Sequence, residues 1–137
     1  MTTSDLTVFV YGTLQPGGRY WPEFCAGKVG EPVPAKIRGE LYDLHVGYPG
    51  LRLQGEDWVQ GYVLTFKTEK DFLRLDYLEG YHPDRSYSEN EYIRLKIPAY
   101  SKDGEPLGAV WAYEITEPML ARCEDTRIPA GKWPPST

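Results

Sequence analysis

The chain has 137 residues, of which 41% are apolar and 26% are charged, and its formal net charge at pH 7 is −5. These proportions are typical of a globular domain and exclude a disordered chain. The excess of acidic residues argues against nucleic acid as a partner, because phosphate groups bind lysine and arginine. No apolar run of about 18 residues is present, so we expect no membrane-spanning helix and no membrane partner.

The first residues, MTTSDL, lack the basic and apolar regions of a secretory signal peptide, so we expect a cytoplasmic protein. Cys25 and Cys123 are far apart in sequence and form neither a CxxC pair nor a metal-ligand spacing. In a reducing compartment both are expected to be free thiols. The sequence therefore predicts no metal site.

Glycine, proline and tyrosine are frequent, which is typical of short strands joined by turns. Apolar alternation and β-branched or aromatic runs predict five strands. They are expected at about residues 6–12, 34–44, 58–67, 91–100 and 108–115. A Lys-Asp-Gly turn joins the last two strands, as in a β-hairpin.

One segment has helical spacing instead, since Phe72, Leu75 and Leu78 recur three residues apart. Thr68 is a suitable N-cap, and Gly80 is a suitable residue directly after the helix. We therefore expect a helix of about three turns between these two residues.

A second, shorter helix is expected after Thr116, with Pro118 in its first turn. Residues 1–126 are predicted to form a single domain, followed at 127–137 by an irregular C-terminal tail with three prolines. Together the elements predict an α+β fold. It consists of a small mixed, largely antiparallel β-barrel with one main helix packed against it.

The segment VFVYGTLQPGG, residues 8–18, is an apolar strand that ends in a glycine-containing turn. Gly12 and Gly17 have the spacing of a phosphate-binding loop, but Gly18 and Arg19 occupy the places where that loop needs lysine and serine or threonine. Two interpretations stay open. The segment is either a plain turn, or a loop whose backbone N–H groups bind an anion and in which Gly12 lets a substrate approach.

Glu79 lies at the end of the predicted helix, where the helix dipole disfavours a carboxylate by about 0.3–1 kcal/mol. This placement, beside Leu75 and Leu78, would raise its pKa and suit a general acid or base. The alternative is an exposed glutamate that tolerates the penalty. Glu89 and Glu91 could form a carboxylate pair with Glu79, and no pattern for a protein nucleophile is present.

Three segments, in this order, resemble the γ-glutamylcyclotransferase-like family, which includes the γ-glutamylamine cyclotransferases. VFVYGTL at 8–14 is similar to the family's substrate-binding strand and loop, LDYLEG at 75–80 to its LDxxEG segment, and Tyr92-Ile-Arg94 to its YxR element. GYPGL at 47–51 and RIPAGKW at 127–133 are similar to two further, less specific segments.

The resemblance implies a mixed fold around a small β-barrel, with no metal and no organic cofactor. It implies a transferase or lyase that cyclises a γ-glutamyl amine or γ-glutamyl peptide to 5-oxoproline and releases the amine. Glu79 would be the catalytic acid and base. The substrate-binding residues would be Tyr11, Gly12, Thr13, Leu14 and Tyr92. We expect a monomer or a homodimer whose partner is a small molecule.

Two other classes of function stay open. A non-catalytic module could use the same barrel to bind a small carboxylate or amine, and it would tolerate glutamine in place of Glu79. A protein-interaction domain could use a tyrosine-rich surface, and it would need no concave acidic pocket beside the VYGTL segment.

Overall fold

A computed structural model describes residues 6–134 of the chain. Its strands are β1 (Thr7–Val10), β2 (Val33–Arg38), β3 (Glu40–Asp43), β4 (Pro49–Arg52), β5 (Trp58–Thr65), β6 (Tyr92–Ser101), β7 (Pro106–Ile115) and β8 (Thr126–Ile128). Its α-helices are α1 (Trp21–Phe24), α2 (Glu69–Leu78) and α3 (Glu117–Ala121), and a short 3-10 turn spans Tyr87–Glu89. Among residues 6–134, no helix is both long and apolar enough to cross a membrane.

Five strands form a closed barrel in the order β1-β5-β2-β6-β7. Neighbouring strands are antiparallel except β1 and β7, which run parallel and close the barrel. The five predicted strand regions all contribute to this barrel. The structure therefore confirms the predicted α+β fold with a small mixed, largely antiparallel barrel.

The strand predicted at 34–44 is in fact two strands in two different sheets. β2 belongs to the barrel, whereas β3 pairs with β4 and β8 in a separate three-stranded sheet. Gly39 lies between them, and a Cβ at this position would lie 3.0 Å from the Leu51 side chain and 3.1 Å from the Arg52 carbonyl oxygen. Glycine leaves room here for the close approach of the two sheets.

The start of the C-terminal segment is more ordered than the sequence predicts. Arg127 and Ile128 lie in β8, which pairs with β3, and the Ile128 side chain is buried. Beyond the strand, the Gln60 N–H donates a 2.7 Å hydrogen bond to the Gly131 carbonyl oxygen. β8 is only three residues long and is followed directly by Pro129, so its sequence gives little reason to expect a strand. Hydrogen bonds to β3 and β5 hold the segment in place instead.

The structure confirms the prediction of one main helix, which is α2. The Thr68 hydroxyl accepts a hydrogen bond from the Asp71 N–H at 3.2 Å, as an N-cap residue does. Phe72 and Leu75 are buried against the outer face of the barrel. The shorter helix α3 also begins as predicted, because the Thr116 hydroxyl accepts from a backbone N–H of its first turn.

Two clusters of buried apolar side chains stabilise the fold. One fills the barrel and draws alternate residues from all five of its strands, including Phe9, Ile37, Val59, Ala99 and Val110. The other lies between the barrel and α2. β1 contributes to both, because all four of its residues are buried. The end of β1 is thereby held rigidly where the two clusters meet.

Candidate active site

A cavity of about 190 Å³ lies beside the loop that follows β1 and the end of α2. Its lining includes all six residues that the sequence assigns to the site, namely Tyr11, Gly12, Thr13, Leu14, Glu79 and Tyr92. Sequence reasoning missed Tyr20, Tyr48 and Tyr113, which also line it. The fold thus brings the predicted residues together, while their contact with a substrate stays a prediction.

The end of α2 places Glu79 at the edge of this cavity. Gly80 has a left-handed φ of 64°, and the Tyr81 N–H donates a 2.9 Å hydrogen bond to the Asp76 carbonyl oxygen. This pattern is a Schellman motif, in which glycine directly follows the C-cap residue. The Glu79 N–H in turn donates to the Leu75 carbonyl oxygen at 2.9 Å. The backbone of Glu79 is therefore fixed by hydrogen bonds within the helix end.

The half-buried Glu79 side chain lies in surroundings that favour its neutral form. Burial raises the pKa of Glu79 from 4.5 to about 8, and the negative charges of Glu91 and Asp76 add to this effect. A carboxyl group with a pKa near neutrality exchanges protons readily at physiological pH. Glu79 can therefore accept a proton at one step of a reaction and return it at another.

Backbone hydrogen bonds hold the loop after β1 through its carbonyl groups. The Gly12 carbonyl oxygen accepts from both the backbone and the side-chain amide of Gln15, each at 3.2 Å. The Thr13 carbonyl oxygen accepts from the Tyr20 N–H at 2.9 Å. In the described part of the chain, the N–H groups of Gly12, Thr13 and Leu14 donate to no protein acceptor. These three donors are free to bind an anion or a carbonyl oxygen.

Gly12 also has a packing role that the sequence does not predict. A Cβ at this position would lie 2.9 Å from Cδ and 3.0 Å from Cγ of Pro49, the first residue of β4. The packing of the loop against Pro49 therefore requires glycine, while the approach of a ligand at Gly12 stays a prediction. The close contact also joins the loop to the small sheet.

Three tyrosine hydroxyl groups at the cavity donate into the protein. Tyr11 donates to the Tyr113 carbonyl oxygen at 2.7 Å, Tyr92 to the Pro49 carbonyl oxygen at 2.8 Å, and Tyr113 to an Asp76 carboxylate oxygen at 2.6 Å. A phenol has one proton to donate, so these hydroxyls can only accept from a ligand. Burial raises the pKa of both Tyr11 and Tyr92, which keeps them neutral.

Behind Glu79, Asp76 connects α2 to β6 and β7. Nε of Arg94 lies 3.0 Å from one Asp76 oxygen, and a terminal nitrogen of Arg94 donates to the other at 3.3 Å. The guanidinium group also lies over the rings of Phe72 and Trp111, at 5.0 and 4.4 Å. Asp76 precedes Glu79 by three residues in the sequence. Residues with this spacing lie on the same face of a helix, so the sequence contained a signal that a second carboxylate lies near Glu79.

Of the two carboxylates considered as partners of Glu79, only Glu91 lines the cavity. The Glu89 carboxylate instead accepts from the N–H and the hydroxyl of Ser86, at 3.2 and 2.8 Å. The first of these bonds, together with a bond from the Glu89 N–H to the Ser86 hydroxyl, forms a capping box at the 3-10 turn. Both bonds from Ser86 hold the pKa of Glu89 below its usual range. Glu89 therefore has a structural role away from the cavity.

Neither cysteine lies at the cavity wall. Cys25 is buried, and burial raises the pKa of its thiol to about 12, so it is a poor nucleophile. Residues 6–134 bring together no group of three or more His, Cys, Asp or Glu side chains that could hold a metal ion.

Solved structures of proteins from three organisms share this fold. YkqA from Bacillus subtilis is 19% identical with a TM-score of 0.66, and the match covers 95% of this chain but only 40% of that one, so this chain spans less than half of YkqA. The Arabidopsis thaliana protein At5g39720.1 is 27% identical with a TM-score of 0.60, over 82% of this chain and 69% of that one. A mouse AIG2-like protein is 20% identical with a TM-score of 0.57, over 83% and 78% of the two chains.

No curated protein sequence matches this chain. A family model described as gamma-glutamyl cyclotransferase, AIG2-like, matches residues 8–135. The match begins within β1, includes the loop and helix end that carry the cavity, and extends past β8. It confirms the resemblance of the shorter segments, and we conclude that the chain belongs to the gamma-glutamyl cyclotransferase, AIG2-like family.

Proposed function

We propose that the protein is a γ-glutamyl cyclotransferase that converts a γ-glutamyl amine or γ-glutamyl peptide to 5-oxoproline and the free amine. Glu79 is the general base and the general acid of this reaction. One observation carries the proposal: a half-buried carboxyl group with a raised pKa and three free backbone N–H groups share one cavity.

The substrate supplies the nucleophile of this reaction. Its α-amino nitrogen attacks the γ-carbonyl carbon and closes a five-membered ring, and the carbon–nitrogen bond of the γ-amide breaks. The α-ammonium group loses two protons and the leaving nitrogen gains two, so protons balance and no oxidant or reductant is needed. The protein has to fold the substrate into a reactive geometry and transfer protons, and correct geometry alone can lower a barrier by about 7–11 kcal/mol.

Glu79 suits both proton transfers. In its ionised form it accepts a proton from the α-ammonium group, and it returns a proton to the leaving nitrogen as the tetrahedral intermediate collapses. A bound ammonium group lowers the pKa of a neighbouring carboxyl group, which offsets the contribution of the Glu91 and Asp76 charges. Substrate binding itself therefore generates the ionised base.

The backbone donors of Gly12, Thr13 and Leu14 suit the negative charges of this reaction. They can bind the α-carboxylate of the substrate or the oxygen of the tetrahedral intermediate. Removing one such donor in an enzyme that stabilises an oxyanion costs about 2.7–4 kcal/mol of transition-state stabilisation. The Tyr11 and Tyr92 hydroxyls, which can only accept, are suited to the α-ammonium group instead.

Replacement of Glu79 with glutamine tests the proposal. We expect Glu79→Gln to keep its fold and to lower kcat for 5-oxoproline release by roughly 10²–10⁴-fold, because general acid and base catalysis are both lost. The assay measures 5-oxoproline after incubation with γ-glutamyl dipeptides and γ-glutamylamines. Glu69→Gln, which changes an exposed glutamate at the other end of α2, is the matched control and should retain the parent rate.

If Glu79→Gln turned over as fast as the parent, the proposed mechanism would be wrong. If the parent released no 5-oxoproline from any substrate, yet these compounds raised its melting temperature, the protein would be a non-catalytic binding module.

A further inference from the structure

We propose that Glu91 makes the enzyme selective for substrates whose leaving amine carries a second, positively charged group, as in a γ-glutamyl diamine. This inference rests on the proposed function and extends it to the part of the substrate beyond the γ-amide bond. It concerns specificity, because Glu91 is not needed for the proton transfers assigned to Glu79.

The charge of the cavity lining is one basis for the inference. Its lining contains two carboxyl groups, those of Glu79 and Glu91, and no lysine, arginine or histidine. Glu79 acts on the reacting nitrogen atoms, which leaves Glu91 to contact another part of the substrate. None of the ion pairs found among residues 6–134 includes Glu91. A charged group of the ligand can therefore occupy that place.

Glu91 lies on the exposed side of the same wall. Glu91 is exposed to solvent, whereas Glu79 is half-buried. The Glu91 N–H donates to the Gly80 carbonyl oxygen at 3.1 Å, and a Cβ on Gly80 would overlap the Glu91 carboxylate. The absence of a side chain at Gly80 thus lets this carboxylate lie against the residue that directly follows Glu79.

The proposed chemistry determines which part of the substrate meets Glu91. The leaving nitrogen has to reach Glu79 to receive its proton, so the atoms bonded to that nitrogen begin beside Glu79. They extend from there toward solvent, on the side where Glu91 is exposed. A carboxylate at this position attracts an ammonium group and repels a carboxylate, and the partly desolvated cavity strengthens both effects.

No donor that the proposed mechanism leaves unused is assigned to a negative charge beside Glu91, because the N–H groups of Gly12, Thr13 and Leu14 bind the α-carboxylate or the oxyanion. The Tyr92 and Tyr113 hydroxyls donate into the protein and offer only lone pairs to a ligand. Arg85 donates to the Gly80 carbonyl oxygen at 3.1 Å and does not line the cavity. An anionic leaving group would therefore meet acceptors and a like charge.

Three substrates of matched length test the inference. Each is a γ-glutamyl amide of a four-carbon chain that ends in an ammonium group (from 1,4-diaminobutane), a methyl group (from pentylamine) or a carboxylate (from 5-aminopentanoate). We expect kcat/KM of the parent to fall in that order, with the cationic substrate preferred over the neutral one by roughly threefold to tenfold.

The matched variants are Glu91→Gln and Glu89→Gln, which each remove one negative charge from the same segment. We expect Glu91→Gln to reduce the ratio of cationic to neutral kcat/KM to about one, while Glu89→Gln retains the parent ratio because glutamine preserves the capping box. Comparing substrates at one pH cancels any change in the pKa of Glu79, since that change affects both substrates equally.

The inference would be overturned if the parent used the neutral and cationic substrates equally well, or if Glu91→Gln kept the parent ratio. Either result leaves the cyclotransferase activity intact and contradicts only the role of Glu91. If the parent released no 5-oxoproline from all three substrates and from the wider panel of γ-glutamyl compounds, the proposed function itself would fail.

Discussion

The Tyr113 hydroxyl in β7 donates a 2.6 Å hydrogen bond to the Asp76 carboxylate in α2. Asp76 lies one turn before Glu79, and it is also paired with Arg94 of β6. The barrel is therefore connected directly to the helix end that carries the proposed catalytic carboxyl group. Two side chains from neighbouring antiparallel strands share this one acceptor.

Tyr113→Phe should weaken this connection. We expect the free energy of unfolding to fall by about 1–2 kcal/mol, because a largely buried carboxylate loses one of its donors. We also expect a lower kcat, since the end of α2 is less firmly held. Urea unfolding and the 5-oxoproline assay measure the two effects. Tyr77→Phe is the control, because Tyr77 is 90% exposed and should change neither quantity; an unchanged stability of Tyr113→Phe would contradict the assigned role.

Gly12→Ala should displace the loop after β1. The added methyl group would lie 2.9 Å from the Pro49 ring, so either the loop or β4 has to move. We expect a loss of about 1–3 kcal/mol in the free energy of unfolding, which is typical of overpacking. The drop in kcat/KM should be larger than tenfold, because small misplacements of binding groups cost up to about 100-fold.

Gly30→Ala is the matched control for this substitution, since a Cβ at residue 30 meets no atom within 4 Å. It should leave both the stability and the activity near the parent values. If Gly12→Ala bound and cyclised substrate like the parent, the loop would not need its contact with Pro49.

Glu79→Gln should change how stability depends on pH. The pKa of Glu79 is about 8 in the folded protein against 4.5 ordinarily. Between these values the unfolded chain releases its proton while the folded chain keeps it, so the free energy of unfolding of the parent falls as pH rises. Glutamine removes this effect. The stability gained by Glu79→Gln should therefore increase from pH 4.5 to about pH 8, by roughly 1–3 kcal/mol once partial solvent exposure is allowed for.

Urea unfolding of both proteins at several pH values measures this difference. Glu69→Gln, at the exposed start of α2, is the control. Its difference from the parent in the free energy of unfolding should change little between pH 4.5 and about pH 8. A stability difference for Glu79→Gln that stayed constant or shrank with rising pH would show that the carboxyl group is not in surroundings that favour its neutral form.

Local patterns predicted the elements that carry strong local signals. Helix α2 has apolar spacing, an N-cap at Thr68 and a glycine after its end, and the barrel strands have alternating or β-branched runs. The missed strands β4 and β8 are short and contain or adjoin proline, and their pairing with β3 is a tertiary contact that no local pattern records. The chain passes from the barrel to the small sheet at Gly39, and this change was missed for the same reason, because it depends on tertiary pairing.

The candidate site was predictable to the extent that its residues break local rules. A glutamate at a helix C-terminus is unusual, and Glu79 lines the cavity; the glycine turn after β1 is a common feature and pointed to the site only together with the family resemblance. Tyr20, Tyr48 and Tyr113 have no such signal, because tyrosine is common in strands and loops throughout this chain. Only the fold brings them to the cavity.

The barrel closes through β1, and this topology has a consequence for how the protein is made. Val8 pairs with Leu64 of β5 and with Trp111 of β7, so β1 has partners that are synthesised much later than β1 itself. Folds dominated by such non-local contacts fold slowly, because the chain between the partners has to be ordered before they meet. A chain that ends before β7 therefore has neither a closed barrel nor the part of the cavity wall that Tyr113 provides, so the cavity is complete only after β7 has been synthesised.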